Sequence, residues 1–481
     1  MVTDTRIGVS EPMSVSQCIG AWSLNDTTTI AYIYGRDNRI ITRFVAWCLR
    51  HGIPFSEKTR KGAFNTIISV QRRFIRFTLW LGEARINIYS LSNLLRDSIE
   101  DMRDNYSKPN ATDIDVLCDT INQLDDMRIN AATMGTAAMN DYLDNLGIRM
   151  FARSFPVLDE QAAKAARKAY YGGFVWARKT GDFQHGKSFD INSLYPSIMR
   201  DSKLPYGTPE HYSGIYEPDD TMPLHCDLLT FRADLKHDGC PFLMDGGTWN
   251  GVGGRRVTST NGFVTAWLTD IDQQTLAENY DLWIAEYHEG YKYQSSSGFF
   301  QPWVDQWYGL KSHHDKGVRQ CAKLMLNALT GKFGMNPRQT MLAPYLTEHD
   351  DIDWQIIQSP DTTRFTYAPV SAWITSYARQ ILTRHIRENW HTFVYCDTDS
   401  MILCGDSEAI NVTLSDSIGD WKIEREFTDM RILGTRKYEQ QLTGGGTHMC
   451  FAGVHKHDPI PYDQFQPGNE FIDDNGIVCV I

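Results

Sequence analysis

Two apolar runs, Thr392-Phe393-Val394-Tyr395 and Met401-Ile402-Leu403-Cys404, flank the polar stretch Asp397-Thr398-Asp399-Ser400. The pattern predicts strand, tight turn, strand. Phe189 and Ile191 flank Asp190 in a second strand-like run, which Pro196 closes. Residues 63–70 and 74–80 also read as strands, whereas 39–50 and 113–127 read as helices. A longer helix is expected over 318–334, rich in Leu, Ala and Met, with Gly331 as its stop. On it Arg319, Lys323 and Asn327 recur four apart and form one polar stripe, while Leu324, Leu326, Ala328 and Leu329 leave much of the rest apolar.

Alternate strand positions share a face, so Asp397 and Asp399 can point the same way. Two like charges that close cost energy unless a cation lies between them. Mg²⁺ suits them, because it takes hard oxygen ligands from one or two carboxylates plus substrate phosphates. Asp190 would be a third carboxylate from a separate segment, as paired-metal phosphoryl chemistry requires. The cationic stripe would then answer the charge of a triphosphate. Blander readings stand beside these: Asp-Thr-Asp is common in turns, Asp190 could cap a turn with Asn192 and Ser193, and charged helix stripes usually face water.

The three segments together resemble a known family. Asp190-Ile-Asn-Ser-Leu-Tyr-Pro-Ser197, Lys323-Leu-Met-Leu-Asn-Ala-Leu-Thr-Gly-Lys-Phe-Gly334 and Tyr395-Cys-Asp-Thr-Asp-Ser400 look like motifs A, B and C of family B DNA polymerases, in the same order. The likeness is strongest to the protein-primed polymerases of small tailed bacteriophages. It covers roughly residues 165–455 well and the first 160 faintly. It implies a template-directed DNA polymerase that binds primer-template DNA and deoxynucleoside triphosphates. It implies two Mg²⁺ ions, replaceable by Mn²⁺, on Asp190, Asp397 and Asp399. Leu194, Tyr195, Lys311, Lys323, Asn327 and Thr330 would bind the nucleotide, with Tyr195 as the steric gate against a ribose 2′-hydroxyl. Tyr170, Gly172, Gly173 and Phe174 match a Tyr-x-Gly-Gly element that touches template. Arg436, Lys437 and Tyr438 match a Lys-x-Tyr motif on the primer, with Arg in the usual Lys place. A terminal protein is the primer that the resemblance implies, and strand-displacing replication the setting. Motif B departs from the pattern: Ala328 replaces a Ser, and Thr330 an aromatic that walls the nascent base pair.

The fold class implied is a multidomain α/β and α+β chain: a right-hand polymerase with an N-terminal RNase H-like exonuclease-type domain. The expected layout is 1–160 for that domain and 161–481 for the polymerase. Within the latter the palm takes 181–202 and 369–433, the fingers 299–334, insertions 203–298 and 335–368, and a small thumb 439–481. The first insertion would meet the terminal protein and the second would close around DNA. The exonuclease ligands are missing: no Asp-x-Glu precedes residue 155, the first strand keeps only Glu11, and Tyr89-Ser90-Leu91-Ser92 stands where an acid is expected. Asp113 or Asp115 could be a last ligand. One carboxylate cannot hold two metal ions, so an inactive, structural exonuclease fold is expected.

Composition adds boundaries. The net charge of −12 is unusual for a nucleic-acid binder, though a basic tunnel can lie inside an acidic protein. Ten cysteines are scattered without zinc spacing, which predicts free thiols in a reducing compartment, the cytoplasm; the resemblance to phage polymerases implies that of a host cell. No apolar run is long enough for a membrane span, and the N-terminus lacks the apolar core of a signal peptide. Two other function classes remain at this point. A two-metal nuclease would not need Lys311, Lys323 and Tyr195. A catalytically inactive, polymerase-like accessory protein would not need all three carboxylates.

Overall fold

A computed structural model describes every residue except 1–18, 26–27, 35–38, 70–72, 244–255, 337–339, 350, 359–364, 406–407, 453–459 and 473–477. Glu11 and most of the Gly-rich tract 239–254 lie outside the described residues. The chain forms two compact units that are discontinuous in sequence: Met1–Ala152 with Asp305–Thr366, and Arg153–Val304 with Tyr367–Ile481. The linear layout expected from sequence therefore differs from the clustering, which puts most of 299–334 and 335–368 with the N-terminal segment.

In the first unit a five-stranded sheet runs in the order Ile19–Asn25, Thr28–Ile33, Ala84–Ser90, Phe74–Leu81, Ala63–Ile68. Only the pair Thr28–Ile33 and Ala84–Ser90 is parallel; the others are antiparallel. The helix Arg39–Arg50 buries Ile41, Val45 and Cys48 against Phe64, Phe77 and Ile88. Those three positions fall on one side of a 3.6-residue helix, which fixes the face that docks. The hairpin Thr340–Leu346 and Ile352–Gln358 adds Leu342, Ile352 and Trp354 to the same cluster.

The helix expected from motif B spans Lys316–Phe333. Gly331 is not its stop: the helix passes through it and ends at Gly334, since an exposed helical glycine weakens a helix without breaking it. Its apolar face meets the helix Met134–Leu146, and Phe333 packs against the rings of Tyr142 and Phe151 at 5.9 and 5.8 Å. Gly317 lets it approach closely, because a Cβ there would lie 2.3 Å from the Gln123 Oε1 and 2.6 Å from the Tyr106 ring.

The second unit centres on a seven-stranded antiparallel sheet. Its order is Thr447–Phe451, Lys437–Leu442, Trp421–Gly434, Gly181–Ile191, Ser400–Cys404, Phe393–Asp397, Val175–Ala177. The strand that carries Asp190 is thus central, with the Asp397–Asp399 hairpin on one side. Tyr395, Ile402, Phe427, Met430 and Tyr438 share the core on one face. The helix Ala368–Glu388 is buried along most of its length. Residues 203–298 hold a four-stranded sheet, ordered Val264–Thr269, Leu224–Leu235, Tyr280–Ser296, Leu204–Ser213, and the helix Asp270–Asn279. No helix among the described residues is long and apolar enough to cross a membrane.

Candidate active site

Asp190 ends the central strand, and its backbone is paired with Ser400 on one side and Lys422 on the other. Asp397 ends the next strand out, beyond Ser400–Cys404, and pairs with Ser400 across the turn. The Ile191 N–H donates to the Asp399 carbonyl at 2.8 Å. Registry therefore brings the three aspartates, from two separate segments, to one end of neighbouring strands. Thr398, between two of them, has φ of 58°, a left-handed conformation that a β-branched residue adopts at a cost. Its N–H donates to the Phe174 carbonyl at 2.8 Å, and its Oγ1 donates to Asp397 Oδ1 at 2.9 Å. Ser193 and Arg436 are also left-handed, with φ of 53° and 54°.

Each carboxylate answers a different neighbour. Asp190 pairs with the Lys422 Nζ at 2.8 Å. Asp397 accepts two bonds from the Arg436 guanidinium, 2.7 Å from Nε and 3.0 Å from Nη2, the bidentate geometry that arginine favours. Asp399 is pushed up to about 7, first by burial and then by the charges of Asp190 and Asp397. Lys422 is raised although burial opposes it, because Asp190 accepts from it. No group of three His, Cys, Asp or Glu side chains among the described residues is arranged around a shared metal position. The donor chemistry nonetheless fits hard cations. Two carboxylates are neutralised by cationic side chains, and the third is driven toward its neutral form, first by burial and then by the charges of the other two.

The Tyr-x-Gly-Gly segment packs directly on this turn. A Cβ at Gly173 would lie 2.7 Å from Thr398 Oγ1 and 3.0 Å from the Tyr195 hydroxyl, so only glycine fits. Arg379 is 2% exposed and donates from Nη1 to the carbonyls of Tyr171 and Gly172, both at 2.8 Å. Its other edge donates three bonds to the fully buried Asp272, at 3.0 Å from Nε and at 2.9 and 2.6 Å from Nη2. Sequence reasoning missed Arg379, Asp272 and Lys422, and no local pattern marks them.

The remaining expected residues divide. Tyr195 is half-buried, and Tyr170 likewise; burial raises both hydroxyls. Leu194 is buried. The Phe174 ring is buried and covered by the Arg256 guanidinium at 4.9 Å, so it holds the core while Gly172 stays open. Nearby, the Arg178 guanidinium donates to the carbonyls of Trp390 and Phe393. Tyr438 is buried against Tyr395, with centroids 5.0 Å apart, and the Lys437 ammonium lies 4.9 Å over Phe451. In the first unit Lys323 and Asn327 are exposed on one stripe, Thr330 is buried, and the Lys311 ammonium lies 5.1 Å over the Tyr308 ring. Arg319 turns back to the carbonyls of His313 and His314.

The architecture defines a class first. It matches the solved structure titled Phi29 DNA polymerase complexed with primer-template DNA and incoming nucleotide substrates, with TM-score 0.80 and 24% identity, over 94% of this chain and 89% of that one. This is the multidomain α/β fold of a right-hand DNA polymerase. The family described as DNA polymerase type B, organellar and viral, matches residues 98–404, and the chain belongs to it. The DNA polymerase of Bacillus phage Nf is 27% identical over 436 residues, 83% of this chain and 76% of that protein. That of Bacillus phage phi29 is 31% identical over 321 residues, 65% of this chain and 56% of that protein. The chain is a DNA polymerase of the phage type.

Proposed function

We propose that this polymerase extends a primer 3′-hydroxyl with deoxynucleotides through Asp190, Asp397 and Asp399, within protein-primed, strand-displacing replication. The observation that supports the reading is the registry that brings a half-buried, raised Asp399 beside the Asp190 strand. Two Mg²⁺ ions, or Mn²⁺ in their place, held by the three aspartates would activate the 3′-hydroxyl and neutralise the triphosphate. Arg436 and Lys422 occupy the carboxylates now, and each must yield its partner when metal binds. Tyr195, fixed over Gly173, walls the sugar and excludes a 2′-hydroxyl. Lys311, Lys323 and Asn327 supply positive charge and hydrogen bonds to the triphosphate, and Leu194 and Thr330 are further nucleotide-binding residues in this reading. Tyr170, Gly172, Gly173, Lys437 and Arg436 serve DNA, while Phe174 and Tyr438 position them from the core. A terminal protein as primer and residues 335–368 as the DNA-closing insertion complete the reading.

The exonuclease activity is absent in this reading. Asp115 is spent in a capping box, where its carboxylate accepts from the Thr112 N–H and hydroxyl. Asp113 pairs with Arg103. Ser90 caps the next helix by accepting from the Asn93 N–H.

Primer extension with and without Mg²⁺ tests the proposal. The parent should extend only with metal. Asp399→Ala should abolish extension while DNA binding remains. Extension within about tenfold of the parent would remove Asp399 from the catalytic set, since ~1.4 kcal/mol is too little for a metal ligand.

A further inference from the structure

Residues 39–76 carry nine lysines and arginines and a single acid, Glu57, in a chain whose net charge is −12. Such a reversal of sign over one segment creates a local field that favours a polyanion. The helix Arg39–Arg50 shows how the charge is arranged. With Ile41, Val45 and Cys48 turned to the core, Arg43, Phe44, Trp47 and Arg50 fall on the outside. Phe44 is 40% and Trp47 46% exposed, and the helix holds no acidic residue. Both rings are braced. His51 stacks on Trp47 with centroids 4.5 Å apart and an interplanar angle of 27°. Phe44 rests on the buried Phe77 at 5.8 Å. Residues three and four apart are neighbours on a helix, so the aromatics and guanidinium-bearing positions alternate on one surface.

We infer that this face binds single-stranded DNA, with bases stacking on Phe44 and Trp47 and phosphates meeting Arg43 and Arg50. A solvated helix face has no need of two exposed aromatics. A duplex hides the base faces that they would engage, whereas an unpaired strand offers them, and stacking plus positive charge is the usual means of holding one. The inference rests on the polymerase reading only for the source of the strand, which is unpaired template or the strand displaced during synthesis.

The test uses the full chain and a fluorescent oligothymidylate. Trp47→Ala should weaken its binding about tenfold, the scale of one lost base stack, and Trp47→Phe should restore most of it. The double change Arg43→Gln with Arg50→Gln should lower the slope of log affinity against log salt by about 1.4, for two lost phosphate contacts to a single strand. Extension of a saturating primer on an open template should stay at the parental rate in all these variants. Parental oligothymidylate affinity in both Trp47→Ala and the double variant would overturn the inference, as would equal weakening toward duplex. A change of oligomeric state with unchanged oligonucleotide affinity would mark the face as an interface between copies instead, and overturn it too. Failure of the parent to extend primers would count against the polymerase reading and leave the binding result standing.

Discussion

Asp397-Thr398-Asp399 and Asp113-Ile114-Asp115 share a spacing, yet the two units of the molecule put them to different uses. The first pair sits in a strand-turn-strand, with the left-handed Thr398 between the two carboxylates. Asp399 is left half-buried beside Asp190 and Asp397 and rises to about 7, first by burial. The second pair opens the helix Asp113–Asp126, where carboxylates near the N-terminus satisfy unpaired N–H groups and favour the helix dipole. Spacing therefore proposes a metal site, and the backbone decides whether one is free to form. Asp270-Ile271-Asp272 is a third instance: it also opens a helix, but inside the core. There Asp272 is consumed by Arg379, and Asp270 rises to about 7, mainly by burial, with His225 opposing.

Three measurements press on this contrast. The largest effect is expected at the turn itself. Gly173→Ala puts a methyl 2.7 Å from Thr398 and should slow primer extension by on the order of tenfold or more, with the circular dichroism spectrum unchanged. Parental rates would show that the turn has slack and that its conformation does not govern the carboxylates.

A smaller effect should separate burial from like-charge repulsion. Asp270 favours its protonated form in the fold, so its contribution is intact below the unfolded value near 4 and is lost as pH rises toward about 7. Asp270→Asn keeps an acceptor for the Trp373 indole N–H, 2.8 Å away, without the titration. The drop in Tm between pH 5 and pH 8 should be visibly smaller in that variant than in the parent. Identical drops would remove Asp270 as a source of the pH dependence.

The smallest effect belongs to the helix start. Asp115→Ala should cost about 1 kcal/mol in denaturant unfolding, the worth of a cap. It should change no nuclease activity, because the parent should leave an end-labelled single strand intact in Mg²⁺ or Mn²⁺. Metal-dependent 3′–5′ shortening that disappears with Asp115→Ala would make this pair catalytic after all.

What the sequence revealed was local. The hairpin Phe393–Asp397 and Ser400–Cys404 and the helix Arg39–Arg50 follow from apolar period alone and lie where periodicity predicts them. The motifs named the carboxylates, but not their companions. Lys422 reaches Asp190 because its strand pairs with Gly181–Ile191, more than 200 residues earlier, and no periodicity encodes that partner. Arg436 was legible as a primer contact, whereas its grip on Asp397 depends on the turn geometry. Phe174 belongs to the segment whose resemblance implies contact with template. Only the tertiary approach of Arg256 shows the ring covered. Gly331 misled because glycine marks a helix end only when the apolar face also ends, and here Phe333 still has rings to pack against.

The division of the chain at 152, 304 and 366 has a consequence for its synthesis. The first 152 residues leave the ribosome without the Lys316–Phe333 helix that their own helices pack around. At translation rates of 5–20 residues per second, the intervening 152 residues impose a wait of roughly 8–30 s. During that interval Tyr142 and Phe151 lack the Phe333 ring that later covers them. A nascent chain arrested before residue 334 should therefore be a better substrate for chaperones than either finished unit, and truncation near residue 160 would make that exposure permanent.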